Sequence, residues 1–77
     1  MAQLRSQFAN RLKALRIEKQ LTQEELAEIT SLSTSFISSM ERGINAPSFE
    51  TLEGIAKALG VPVRDLFDFE SHGLEIL

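Results

Sequence analysis

The sequence predicts one all-α domain made of five short helices. Apolar residues recur at three- and four-residue steps, helix-capping residues stand before these runs, and glycine ends two of them. No stretch alternates apolar and polar residues as a half-buried strand would. With 77 residues, the chain has the length of a single small domain. We assign that domain to residues 1–67 and regard residues 68–77 as a C-terminal tail.

The first helix is predicted over residues 4–19. Its apolar stripe comprises Leu4, Phe8, Leu12 and Leu15. The second helix starts at a capping box, in which the Thr22 hydroxyl accepts the Glu25 amide and the Glu25 carboxylate accepts the Thr22 amide. Ser33 caps the third helix, which Gly43 ends.

Ser48 caps a fourth helix, and Gly60 ends it. The apolar stripe of this helix comprises Phe49, Leu52, Ile55, Ala56 and Leu59. Pro62 opens a short fifth helix that continues to Phe67, because proline suits the first turn of a helix.

The residue inventory argues against an enzyme. Without cysteine the chain can form neither disulfides nor thiolate metal sites, and the single histidine, His72, cannot build a metal site alone. No glycine-rich phosphate loop is present. We therefore expect no metal, no cofactor and no small-molecule ligand. The apolar runs are too short to span a membrane, and basic residues interrupt those near the N-terminus, so we expect a cytoplasmic protein.

The most informative stretch is residues 21–43, LTQEELAEITSLSTSFISSMERG. Two short helices joined by a tight turn must cross steeply, and Ala27 is the small residue that such a crossing needs. Apolar residues on both sides supply the packing: Leu26, Leu32, Ile37 and Met40. The other face of the third helix carries small hydroxyls: Thr34, Ser35, Ser38 and Ser39. Such a face allows another molecule to approach closely.

Five groups of residues form a recognisable pattern across the chain. They are Leu12-x-x-Leu15-Arg16, Leu21-Thr22-Gln23-Glu24-x-Leu26-Ala27, Ile37-x-x-Met40-Glu41-Arg42-Gly43, Pro47-Ser48, and Ile55-Ala56-x-x-Leu59-Gly60-Val61. With this pattern, roughly residues 8–67 resemble the phage repressor and Cro-type helix-turn-helix family, which has a lambda-repressor-like DNA-binding domain. The small size of the chain is similar to that of the stand-alone controller proteins of restriction–modification operons.

The resemblance implies roles for individual residues. The third helix would lie in the major groove of double-stranded DNA. Its base-reading residues would be Thr34, Ser35, Phe36, Ser38 and Ser39. Phosphate contacts would come from Gln23, Ser33, Arg42 and Asn45. Arg16 and Glu41 would form a largely buried ion pair between the first helix and the end of the third.

The resemblance also implies a homodimer that binds a palindromic operator and regulates its own gene. The dimer interface would comprise Val61, Val63, Leu66, Phe67 and Phe69. In the tail it would extend to Leu74, Ile76 and Leu77. A phage-type repressor would have much the same sequence. The alternative from another class is an antitoxin-like protein-interaction module that uses the acidic C-terminal half.

Three features of the chain differ from those expected of a helix-turn-helix protein that binds DNA strongly. Ser31 stands where the family's turn usually has glycine, and a left-handed backbone there would cost about 1 kcal/mol. The base-reading face lacks Arg, Gln and Asn, so we expect modest direct readout and a large contribution from DNA shape. The net charge is −3, so we expect weak binding to bulk DNA and a dependence on dimerisation.

Several of these residues also have simpler interpretations. Gln23 would then be a solvent-facing residue of a first helical turn, and the hydroxyl cluster an inert wet face. Phe36 would belong to the core. Arg16 and Glu41 would be two independent surface charges. The C-terminal apolar residues would pack within one monomer.

Overall fold

The computed structural model describes residues 3–69, which form four α-helices and one 3-10 helix. The helices are α1 (Gln3–Glu18), α2 (Gln23–Thr30), α3 (Thr34–Glu41) and α4 (Phe49–Leu59). The 3-10 helix spans Val63–Phe67. The predicted all-α fold class is confirmed. The predicted number of helices needs one correction, because the fifth segment closes with i to i+3 hydrogen bonds such as Asp65 N to Pro62 O, 3.0 Å.

The helix caps lie where the sequence predicts them. Thr22 Oγ1 accepts the Glu25 amide at 3.0 Å, and Glu25 Oε1 accepts the Thr22 amide at 2.8 Å. Ser33 Oγ accepts the Phe36 amide at 3.0 Å, and Ser48 Oγ accepts the Thr51 amide at 3.1 Å. These bonds satisfy amides that the first turn of each helix would otherwise leave unpaired.

The core draws at least one fully buried side chain from each of the five elements. These side chains are Leu12, Leu26, Ile37, Met40, Ile55 and Leu66. Phe8, Leu15, Ala27 and Leu59 complete much of the surrounding layer. Because the core includes the 3-10 helix as well as the α-helices, this short element is part of the domain rather than an appendage.

Two residues assigned to the apolar stripes are not buried. Leu4 is 60% exposed, because the part of α1 that contacts the core begins one turn later, at Phe8. Phe49 is 82% exposed for the same reason, since the buried face of α4 begins at Leu52. Leu4 and Phe49 therefore have the helical spacing of their predicted apolar stripes but do not belong to the core.

The turn between α2 and α3 is short and left-handed at its first residue. Ser31 has φ 61° and ψ 30°, the conformation that the sequence analysis considered costly for a residue other than glycine. The Leu32 amide donates to the Ala27 carbonyl at 2.9 Å, which closes the end of α2. Ala27 itself is buried, so the two helices can approach closely.

Candidate DNA-binding interface

The N-terminal part of α3 presents hydroxyl groups to the outside of the domain. Ser33, Thr34 and Ser35 are exposed, whereas Ser38 and Ser39 are half-buried. Ile37 and Met40, on the opposite face, have no exposed surface. The helix is therefore held by one apolar face and leaves its small polar side chains accessible along the other. That arrangement lets a groove of DNA approach the helix without displacing bulky side chains.

Phe36 lies at the border between these two faces. Its ring is half-buried and packs against the core cluster. Part of the Phe36 ring therefore belongs to the core, as the simpler interpretation of this residue has it. Only the accessible remainder of the ring can face DNA, and the base-reading role of Phe36 stays a prediction.

The loop after α3 exposes two further predicted contact residues. Arg42 and Asn45 are both exposed. The Ser39 carbonyl accepts the Ile44 amide at 2.9 Å, which folds the loop back onto the end of α3. Gly43 makes this turn possible because its φ is +75°, a value that residues with a Cβ rarely adopt.

Arg5 is a candidate contact residue that the sequence analysis missed. Its Nη1 donates to the Ile44 carbonyl at 3.3 Å, so an exposed guanidinium lies beside the loop that carries Arg42 and Asn45. No local pattern points to this position, because Arg5 and Ile44 are 39 residues apart in the chain.

The start of α2 meets the start of α3 at an open depression. The depression is lined by Arg16, Leu21, Thr22, Gln23, Glu24 and Thr34. Gln23 is half-buried, and its Nε2 donates to Glu41 Oε1 at 3.0 Å. It is therefore not a freely solvated first-turn residue. Backbone amides at the start of a helix favour an anion, and Arg16 also lines the depression, whereas Glu24 adds a negative charge to its rim.

Arg16 and Glu41 form a buried two-pronged ion pair. Arg16 Nε lies 2.7 Å from Glu41 Oε2, and Arg16 Nη2 lies 3.0 Å from Glu41 Oε1. Arg16 Nη1 also donates to the Leu21 carbonyl at 2.8 Å. The side chains are only 9% and 3% exposed, which rules out two independent surface charges. The hydrogen bonding that Arg16 donates to Glu41 raises the pKa of Arg16 above its ordinary value, although burial opposes this shift.

The residues assigned to a dimer interface differ in accessibility. Val63 and Phe67 are 38% and 37% exposed, and Phe69 is half-buried. Val61 is half-buried and packs on the core. Leu66 has no exposed surface, so its assignment to the interface was wrong: a side chain already enclosed by its own domain has no surface left for a partner. Leu74, Ile76 and Leu77 lie outside the described residues.

A cluster of three phenylalanine rings connects the 3-10 helix to α1. The Phe8 and Phe67 rings stack with centroids 5.5 Å apart, and Phe69 meets Phe67 edge-on at 6.1 Å. Phe67 therefore packs partly within its own monomer, which agrees with the simpler interpretation of the C-terminal apolar residues. The rest of its surface stays accessible. Phe49, with its 82% exposure, is a further accessible aromatic residue, although its spacing assigned it to the apolar stripe of the fourth helix.

Residues 3–69 contain no group of three or more His, Cys, Asp or Glu side chains arranged to hold a metal ion. Among the same residues, no helix has both the length and the apolar character needed to cross a bilayer.

The paired helices α2 and α3, with their tight turn and accessible hydroxyl face, define a helix-turn-helix protein. Residues 12–66 match the helix-turn-helix family HTH_3, and the chain belongs to this family. Control protein C.BamHI from Bacillus amyloliquefaciens is 38% identical over 71 residues, which cover 91% of this chain and 88% of that protein. The immunity repressor protein of Bacillus phage phi105 is 49% identical over 61 residues, which cover 79% of this chain and 42% of the repressor.

Solved structures support the same assignment. The restriction–modification controller protein C.AhdI from Aeromonas hydrophila superposes with a TM-score of 0.80 at 36% identity, over 82% of this chain and 96% of that one. The resemblance inferred from the sequence is confirmed. This chain is a helix-turn-helix transcriptional regulator similar to restriction–modification controller proteins, and it spans less than half of the phage repressor's length.

Proposed function

We propose that this chain is a homodimeric, sequence-specific regulator that binds a palindromic operator upstream of its own gene, as a restriction–modification controller protein. The observation that carries the proposal is the accessible hydroxyl face of α3, flanked by an open depression at the start of α2. The likeness to C.BamHI and C.AhdI, which extends over most of each protein, supports the controller assignment.

In this proposal, α3 enters the major groove with its first residues at the base edges. Thr34 and Ser35, both exposed, are the principal base-reading residues, and Ser38, Ser39 and the accessible part of Phe36 lie behind them. Hydroxyl groups both donate and accept hydrogen bonds, so they discriminate bases poorly. The sequence-dependent shape of the operator therefore supplies much of the specificity.

Phosphate contacts flank the base-reading residues on both sides. Gln23 and Ser33 contact one phosphate region near the starts of α2 and α3, and Arg42 and Asn45 contact the other beyond α3. Arg5, placed beside the loop by its bond to Ile44, adds a second cation there. These contacts fix the orientation of the domain on the duplex and carry no sequence information themselves.

Dimerisation compensates for the acidic character of the chain. The net charge of −3 gives little general attraction to DNA, so one domain alone binds a half-site weakly. Two linked domains bind two half-sites, roughly one helical turn apart, with a much higher combined affinity. Exposed apolar side chains at Val63 and Phe67 support an interface built by the 3-10 helix. The domain predicted over residues 1–67 is the DNA-binding unit.

A titration on duplex DNA tests this function. The duplex is taken from upstream of the chain's own gene, and binding is followed by fluorescence anisotropy with an excess of unrelated duplex at two salt concentrations. We expect the unrelated duplex not to displace the chain from its own duplex. The bound fraction should rise with the concentration of dimer, which sedimentation measures in parallel. Binding no tighter than to the unrelated duplex, together with failure to enrich any site from a random-sequence pool, would refute the proposal.

A phage-type repressor is the second candidate, because the identity to the phi105 immunity repressor reaches 49%. Both candidates bind an operator as dimers, and the genes next to this one separate them. Adjacent restriction endonuclease and methyltransferase genes support the controller, whereas adjacent phage genes support the repressor.

A further inference from the structure

We propose that Glu41 is a positioning residue for DNA binding: its carboxylate fixes the side-chain amide of Gln23 so that the amide's second hydrogen points toward a backbone phosphate. This inference rests on the proposed function and assigns a role in it to an ion pair that otherwise only holds helices together.

The two carboxylate oxygens of Glu41 serve different partners. Oε2 accepts the Arg16 Nε hydrogen at 2.7 Å, whereas Oε1 accepts both Arg16 Nη2 and Gln23 Nε2 at 3.0 Å. A glutamine amide nitrogen carries two hydrogens. One is bound by Glu41, and within residues 3–69 the other has no protein acceptor. It is available to an acceptor in the open depression that Gln23 lines.

The charge of Glu41 does not prevent a phosphate from approaching. Its side chain is 3% exposed, and the guanidinium of Arg16 covers it with two hydrogen bonds. The pair is therefore close to neutral when seen from the depression. Because Gln23 donates to an ionised oxygen, its hydrogen bond at 3.0 Å is stronger than a bond of the same length between neutral groups. A bond of that kind can hold the amide in place before DNA arrives.

The network connects three helices at the point where DNA would dock. Arg16 belongs to α1, Gln23 is the first residue of α2, and Glu41 is the last residue of α3. Thr34, at the start of α3, lines the same depression as Gln23. Holding the Gln23 amide therefore also fixes its position relative to the base-reading end of α3. A side chain ordered in advance loses less conformational entropy when it binds.

A double-mutant cycle separates positioning from a purely structural role. The probe is the duplex that the unaltered chain enriches from a random-sequence pool. Gln23→Met keeps the side-chain length and removes both amide hydrogens, and Glu41→Gln removes the charge. We expect each single variant to bind roughly three- to tenfold more weakly, the range of one hydrogen bond. Glu41→Gln should cause little further loss in the Gln23→Met background, since its effect acts through Gln23.

If Glu41→Gln weakens binding by the same factor with and without Gln23, the ion pair acts only on the fold, and the positioning role is refuted. Far-UV circular dichroism of each variant is the control for folding, because it reports whether the variant retains its helices. If the unaltered chain enriches no duplex, the proposed function itself fails.

A second measurement uses the unaltered chain, since Glu41→Gln also weakens a buried ion pair. Heteronuclear NMR of side-chain amides, without DNA, compares Gln23 with the exposed Gln7 and Gln20. We expect the Gln23 amide to be restrained on the picosecond-to-nanosecond timescale and the other two to be mobile. A Gln23 amide as mobile as that of Gln7 would overturn the proposal, whatever the DNA titrations give.

Discussion

Arg11 donates its Nε hydrogen to the backbone carbonyl of Asp65 at 2.8 Å, and this bond joins α1 to the 3-10 helix 54 residues later in the chain. The same two elements share the stacked rings of Phe8 and Phe67. A five-residue 3-10 helix has weak internal hydrogen bonds, so contacts of this kind determine where it lies. The position of the exposed Val63 and Phe67 therefore depends on a residue in the first helix.

Arg11→Met should lower the free energy of unfolding by about 1–2 kcal/mol, because it removes a charged donor from a partly buried carbonyl. It should also weaken the proposed dimer, since the 3-10 helix loses one of its attachments. Urea unfolding measures the first effect and sedimentation equilibrium the second. The matched control is Lys13→Met, which changes an exposed cation on the same helix. Equal effects of the two substitutions would contradict this role of Arg11.

Ser31→Gly should raise the free energy of unfolding by about 0.5–1 kcal/mol. Ser31 has φ 61°, which strains a residue with a Cβ but not glycine. The gain is less than the whole strain, because glycine also makes the unfolded chain more flexible. Urea unfolding monitored by circular dichroism checks the sign. Glu53→Gly, at an exposed position inside α4, should instead destabilise by about 1 kcal/mol. A loss of stability at Ser31 would show that its left-handed conformation is not strained.

The features that the sequence predicted correctly are those that a few neighbouring residues determine. The caps Thr22, Ser33 and Ser48 each bond an amide three residues ahead, so a local pattern is sufficient to find them. Ser31 was identified because a family resemblance showed that its position requires a left-handed backbone. Gln20 adopts φ 62° as well, and no glycine-like signal marks it.

The errors and omissions arise from tertiary structure. The stripe that contains Phe49 has the right helical spacing, but spacing does not show whether another element covers that end of the helix. Leu66 was assigned to an interface because apolar residues near a chain end look alike whether they face a partner or the core. The bond from Arg5 to Ile44 spans 39 residues and has no local signature. The bond from Gln23 to Glu41 was missed for the same reason, since its partners are 18 residues apart.

Glu41→Ala should lower the free energy of unfolding by about 3–5 kcal/mol, because it leaves the buried guanidinium of Arg16 without its partner. The double variant Arg16→Met/Glu41→Leu should recover most of this loss, since it leaves no buried charge. Glu41 raises the pKa of Arg16, so the stabilising charge on Arg16 is fully present below the unfolded pKa. It is lost only as pH rises through the higher folded pKa.

Urea unfolding of the unaltered chain, Glu41→Ala and the double variant tests this prediction. Arg16 should contribute no change in stability between about pH 6 and pH 9, because its charge is constant in that window. Lys57→Met, at an exposed cation of α4, is the control and should change stability little. A double variant as unstable as Glu41→Ala would show that the pair contributes through packing rather than through charge.

Arg42→Ala should weaken binding to all duplexes by a similar factor, whereas Ser35→Ala should change which duplexes are preferred. Arg42 is exposed beyond the end of α3, where a cation meets the phosphate backbone, and its loss should reduce the salt slope of binding by about one. Ser35 is exposed on the base-reading face and carries no charge, so the salt slope should stay the same. Enrichment of sites from a random-sequence pool, followed by titrations at several salt concentrations, measures both quantities. Uniform losses for both variants would refute the base-reading assignment of Ser35.

Val63→Glu should dissociate the proposed dimer without unfolding the monomer. Val63 is 38% exposed at the start of the 3-10 helix, so a charge there is tolerated in a monomer but would be costly in an apolar interface. We expect the dimer to weaken at least roughly tenfold, about 1.4 kcal/mol, by sedimentation equilibrium. Operator affinity should fall further than half-site affinity, because only the operator requires both domains. Ile29→Glu introduces the same charge at an exposed apolar position on α2 and should leave the dimer intact. If Ile29→Glu dissociates the dimer and Val63→Glu does not, the interface lies on α2 rather than on the 3-10 helix.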